Sequence, residues 1–194
     1  MGVLLISIAA VLTALCGYQS GRWGGVQQLF YNLANDSRVE SAQAADRSIA
    51  LIAIDVNLFL HYLDSVNDGN LREAAFIYRR FPAELRPAMS AWLATKPFTN
   101  SKAPSSPFVM PQYTLRTDAA SHRLAGLASQ SFKRAQAANR HSDDFLLLTV
   151  IFAGVSFLAG MSTKMTYPRH AIIIVLGTVG LIYGVVRLVR LPFM

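Results

Sequence analysis

Three apolar stretches, residues 2–16, 145–161 and 171–186, constrain this chain more than any other feature. Every Asp and Glu falls between the first stretch and the second, from Asp36 to Asp144. That segregation predicts a membrane protein with one substantial water-facing domain. A helical span needs about 20 mostly apolar residues. The first stretch is short for this and extends through Gly17 and Gly21 to Trp23, an interfacial anchor beside Arg22. The other two, FLLLTVIFAGVSFLAGM and AIIIVLGTVGLIYGVV, are joined by STKMTYPRH, too short for anything but a hairpin. Pro168 opposes helix continuation through that loop.

The chain is 53% hydrophobic and 15% charged, well below the quarter charged of ordinary soluble domains. Its net charge of +7 raises the question of nucleic acid, and the distribution argues against it. Between residues 21 and 144 stand 14 Lys and Arg against 11 acidic residues, a nearly balanced surface with no basic groove. Lys164, Arg169, Arg187 and Arg190 flank apolar segments and read as contacts to lipid headgroups. The expected partner is therefore the bilayer and not nucleic acid. Basic residues in short loops orient spans. The hairpin carries Lys164, Arg169 and His170 and no acid, which places it and the N-terminus in the cytoplasm and the middle domain outside. Arg187 and Arg190 pull the other way.

The only cysteine is Cys16, so an intrachain disulfide is impossible. The segment TALCG resembles a lipoprotein cleavage site, but Leu15 is not small and no Lys or Arg precedes it. It reads as an uncleaved helix with a free thiol.

Apolar residues then recur at helical spacing: Val26, Leu29, Phe30 and Leu33, and after a polar, alanine-rich gap Ile49, Ile52, Val56, Phe59, Leu60 and Leu63. This predicts one long helix leaving the membrane and ending at the turn signal Asn67-Asp68-Gly69-Asn70. A second helix is expected over 71–80. A third is expected from Pro82 to about Thr95, with Pro87 able to kink or split it. Residues 96–113 hold four prolines and no period, which predicts an ordered, extended and stiff loop. From Thr114 the helical pattern returns and runs into the second span. The expected fold class is an all-α membrane protein with three transmembrane helices and an antiparallel helical-bundle ectodomain. Its parts are a first span at 1–20, an extracytoplasmic domain at 21–144 and a transmembrane hairpin at 145–190.

GYQSGRW (17–23), IDVNLFLHYLD (54–64), YRRFPAELRPAMSAWLATKPFTN (78–100), SPFVMPQY (106–113) and ANRHSDDFLLLTVIFAGVSFLAG (138–160) carry a resemblance. With these segments the chain resembles a widespread family of uncharacterised prokaryotic three-span membrane proteins, along nearly its whole length. The resemblance implies the same layout and a bacterial cell membrane, and carries over no activity.

Few residues suggest chemistry. His61, His122, His141 and His170 are scattered, and no HExxH, CxxC or Glu-x-x-His pair supports a metal site. Gly-rich phosphate loops, GxSxG and CxxCH are absent, so no catalytic residue, cofactor or metal is assigned. Asp55 interrupts an apolar run and needs a partner if buried, for which Arg79, Arg80 or Arg123 are the expected cations. Tyr78-Arg79-Arg80-Phe81 offers two guanidinium groups to an anion, but neighbours on a helix point about 100° apart, and both read as salt-bridge partners.

Small residues form a clearer pattern. Ala10, Ala14, Gly17, Gly21 and Gly25 share one helix face, and the third span adds Gly177, Gly180 and Gly184. Such spacing lets helices approach closely in lipid, either among the chain's own spans or in a homo-oligomer or larger membrane complex. In the Pro-rich loop, Phe98, Phe108, Met110 and Tyr113 present apolar side chains either to a partner or to the bundle. The leading functional expectation is a non-catalytic structural or accessory subunit of an envelope membrane assembly. The alternative is an extracytoplasmic ligand sensor that signals through a partner. An autonomous pump is disfavoured because residues 145–161 and 171–186 contain no Asp, Glu, Lys or Arg.

Overall fold

A computed structural model describes residues 2–194. The described chain is helical: α1 (Gly2–Asn67), α2 (Leu71–Tyr78), α3 (Leu85–Ala94), a short 3-10 turn (Pro107–Val109), α4 (Arg116–Ser162) and α5 (Arg169–Val189). α1, α4 and α5 are each long and apolar enough to cross a membrane. With 66 residues, α1 rises about 100 Å at 1.5 Å per residue, well beyond the ~30 Å of a bilayer's hydrocarbon. The chain divides into two compact units. One holds the N-terminal part through Asn35 together with Ser129–Met194, and the other is Asp36–Ala128. The division falls inside the domain expected at 21–144, since residues 21–35 and 129–144 cluster with the spans.

In the first unit a core of Cys16, Phe145, Leu148, Phe152 and Leu188 joins α1, α4 and α5. Buried residues on α4 recur in steps of seven: Ser131, Ala138, Phe145, Phe152 and Ala159. Ala9 and Cys16 follow the same step on α1. Seven-residue steps keep one helix face on its neighbour, the seam geometry of coiled coils. Beside the ring contacts of Trp23 with His141 and Tyr31 with Phe132, this seam is lined by small side chains. Ser20 donates to the Ser142 carbonyl at 3.0 Å, and Ser142 returns the bond to the Ser20 carbonyl at 3.0 Å. Further along, Tyr31 meets Phe132 edge-on at 5.7 Å. Residue numbers thus rise along α1 as they fall along α4.

α5 docks through its glycines. A Cβ built on Gly180 would lie 3.0 Å from Val155 Cγ2, and one on Gly184 only 2.5 Å from Phe152 Cε1. The Phe152 ring fills the space the missing side chain leaves. The last residues fold back on α1, where the buried Gln19 amide donates to the Met194 carbonyl and accepts from the Met194 N–H, each at 3.1 Å. Trp23 Nε1 donates to the Pro192 carbonyl at 3.0 Å.

The second unit has the same kind of seam. Ser41 Oγ donates to the Ser121 carbonyl at 2.9 Å, and Ser48 Oγ donates to Thr117 Oγ1 at 2.6 Å. Past Ser48, α1 is covered by α2, α3 and the Pro-rich loop. α1 ends where the sequence predicts, because Gly69 takes the left-handed conformation (φ 73°) that closes a helix. The Asn70 N–H then reaches back to the Ser65 carbonyl at 2.9 Å. Asn70 also caps α2, its side chain accepting from the Glu73 N–H at 3.2 Å. α3 begins at Leu85, three residues later than expected. This start puts Pro87 in the first turn, where a missing N–H costs nothing, so no kink arises. Its buried face is Leu85, Ala88, Met89 and Trp92, the i, i+3, i+4, i+7 pattern. Residues 96–113 are not extended. They fold into successive turns around the 3-10 segment, tied by Trp92 Nε1 donating to the Pro104 carbonyl at 2.7 Å.

The α5 contact makes a paired prediction. Gly184→Val forces a methyl-bearing carbon into the fully buried Phe152 ring and should cost about 1–3 kcal/mol. Gly126→Ala, on an exposed side of α4, meets nothing and should instead be neutral or gain up to about 1 kcal/mol of helix propensity. Unfolding of the detergent-solubilised chain measures both. Equal effects would contradict the Phe152–Gly184 contact.

Candidate functional site

The most unusual group in the second unit is Asp55, a carboxylate only 2% exposed on α1. The expected guanidinium partner is not there. Among the described residues no Lys or Arg comes within 4 Å of it, and the Tyr113 hydroxyl donates to Oδ2 at 2.8 Å instead. Arg79 and Arg80 form no ion pair either, and Arg80 stacks over Phe76 at 3.5 Å from the ring centroid. Burial pushes the Asp55 carboxyl above the usual carboxylate range, the Tyr113 bond pulls it partly back, and the Glu84 charge adds a smaller upward push. Tyr113 is held well above the usual phenol range, chiefly by burial and then by its bond to Asp55. It therefore remains a neutral donor.

Around this pair lies an aromatic core of Phe59, Phe81, Leu85, Met89 and Trp92. Phe59 takes Trp92 and Phe108 edge-on at 5.3 and 5.5 Å, and Phe108 takes Tyr113 at 5.1 Å. Such pairs add about 0.5–1.5 kcal/mol each beyond area burial. Phe108, Met110 and Tyr113, three of the four loop residues expected to face either a partner or the bundle, pack against this core. Phe98 is the outlying one, 59% exposed and edge-on to Trp92 at 5.9 Å.

The small-residue positions separate into two sets. Gly177 and Gly184 are buried in the first unit, and Gly180 lies against Val155. Ala10, Ala14, Gly17, Gly21 and Gly25 are all exposed on α1, with open space where each glycine's side chain would stand. Neighbouring Gly24 faces α4, near Ser142. His122 lies 3.8 Å from Asp118 on its own helix, and among the described residues no three His, Cys, Asp or Glu side chains converge to hold a metal.

No known family model, curated protein or solved structure matches the chain.

Sequence reasoning finds Asp55 but not Tyr113 as its partner, because a phenol 58 residues away carries no charge signal. The pair predicts a pH dependence. With the folded-state pKa above the unfolded one, the folded chain binds the proton more readily. The stability this gives is full below the unfolded pKa and is lost as pH rises through the folded pKa. Asp55→Asn should therefore match the parent or exceed it at neutral pH, with the difference shrinking at acid pH. Tyr113→Phe should cost about 1.5–3 kcal/mol at neutral pH by leaving the buried carboxylate without its donor. Denaturant unfolding from acid to neutral pH checks both signs. An Asp55→Asn variant destabilised most at neutral pH would contradict this account.

Proposed function

We propose that this chain is a non-catalytic integral protein of a bacterial cell membrane, acting as a structural or accessory subunit of a membrane assembly. On this reading it belongs with the three-span family it resembles. An antiparallel helical bundle stands outside the membrane, and the Lys164 and Arg169 hairpin faces the cytoplasm. One observation carries the subunit reading. The face Ala10, Ala14, Gly17, Gly21 and Gly25 is exposed on a helix whose opposite face is fully used. Glycine in a helix costs about 1 kcal/mol relative to alanine. Three glycines at four-residue spacing are a large cost with no return inside this chain. In lipid, small residues at that spacing let a second backbone approach closely, so a helix of another chain is the natural occupant.

The test compares the parent with Gly21→Leu by light scattering and cross-linking in a mild detergent. The parent is expected as a defined oligomer or with a stoichiometric partner. The variant is expected as a single, folded helical chain, since a leucine at this position meets nothing within its own chain. Identical size and cross-linking for both would overturn the assembly reading. For orientation, cysteine placed at Ser105 should react with an impermeant thiol reagent in cells stripped of any outer membrane, and cysteine at Thr166 should not. The reverse pattern would invert the topology.

A further inference from the structure

An open cleft of about 370 Å³ lies in the second unit where the end of α1 meets α2 and α3. Its volume is in the range of small-molecule sites. Tyr62 and Val66, one turn apart on α1, form one wall. Leu71 and Tyr78 come from the two ends of α2, and Leu93 comes from α3. Arg79, the residue that closes α2, completes the lining with Ala74 and Ala75.

The polar side chains here are two phenols and a guanidinium, and each has a donor to give. Among the described residues neither the Tyr62 nor the Tyr78 hydroxyl has a hydrogen-bond partner, and Arg79 has neither a hydrogen bond nor an ion pair. The two rings stand 6.4 Å apart between centroids. Among the described residues no acidic side chain lines the cleft. Burial, and then Tyr78, pushes the Tyr62 phenol above its usual range, so it stays protonated and able to donate. Leu71 is 69% exposed although it opens onto this concavity. An apolar surface with a lone guanidinium and two free phenols complements a ligand with an apolar body and an acceptor-only, singly charged head. A carboxylate accepts bidentate bonds from a guanidinium. A phosphate dianion would meet one cation and greasy walls, where its second charge is uncompensated. The C-terminal end of α2 also disfavours anions, so Arg79 must supply the attraction.

We propose that this cleft binds a small organic carboxylate with an aromatic or branched apolar body, its head on Arg79 and its body between Tyr62, Tyr78, Leu71 and Leu93. This site is independent of the glycine face and does not rest on the subunit reading.

The experiment titrates 3-phenylpropanoate into the full chain in phosphatidylcholine nanodiscs by calorimetry, with empty nanodiscs as blank. The acid should bind, and 3-phenylpropanamide, isosteric but uncharged, should bind at least about tenfold more weakly. Arg79→Gln should weaken the acid by a similar factor and leave the amide unchanged. Arg80→Gln is the control, because that side chain stacks on Phe76 and does not line the cleft. It should leave the acid's affinity unaltered. No binding of the acid above the blank would overturn the proposal. So would equal affinity for acid and amide, or equal losses in the two arginine variants.

Discussion

The close approach of α1 and α4 is the constraint on which the rest of this structure depends. Within each unit the two helices meet at several points through side chains too small to hold them apart. Ser20 and Ser142 exchange hydroxyl bonds with each other's carbonyls in the first unit, and Ser41 reaches the Ser121 carbonyl in the second. Ala34, Ala135 and Ala138 are buried in the first unit, and Ser37, Ser48 and Ala128 in the second. Each hydroxyl bond contributes only about 1 kcal/mol. Their value lies in geometry, since a serine can satisfy its own hydroxyl at a distance where a leucine would clash. Burial without a partner would cost more than the bond gives, so the seam tolerates little slippage.

From that seam the division of labour follows. In the first unit Phe152 and Val155 point to α5 and are received by Gly184 and Gly180, while Phe145 meets Phe193 edge-on at 5.5 Å. In the second, α1 outruns α4's partner residues beyond Ser48, and the aromatic cap takes over. Trp92 and Phe108 pack on Phe59 of α1, and Tyr113 closes over Asp55. A buried acid held by a phenol is a weaker clamp than an ion pair, and it avoids desolvating a guanidinium as well. What remains uncovered is specific. The glycine face of α1 in the first unit and the donor-lined cleft in the second are both built by packing and left unfilled.

Much of this was legible in the sequence, and the failures have physical causes. The length of α1 could be read because no Pro interrupts residues 2–67 and because Asp68-Gly69-Asn70 is a strong stop. The polar gap at 35–45, which carries no apolar stripe, proved to be the small-residue seam itself. A pattern of Ser and Ala is invisible to a search for large apolar side chains. Pro82 alone predicts the start of α3, yet Pro87 fits only with a start at Leu85, since two prolines five apart cannot both occupy a first turn. Four prolines suggested an extended loop, but prolines also favour turns, and the loop's aromatics draw it onto the core. The cleft was not legible at all, since its lining comes from three helices whose juxtaposition no local pattern records.

The most direct test of the seam is disulfide trapping between its two helices. In a Cys16→Ala background, cysteines replacing Ser41 and Ser121, whose hydroxyl oxygens lie 3.4 Å apart, should cross-link within one chain on mild oxidation of the folded protein. Cysteines replacing Val39, which is exposed, and Ser121 should not. Failure of the first pair under conditions that leave the chain folded, or faster trapping of the second, would show that α1 and α4 do not meet through these residues.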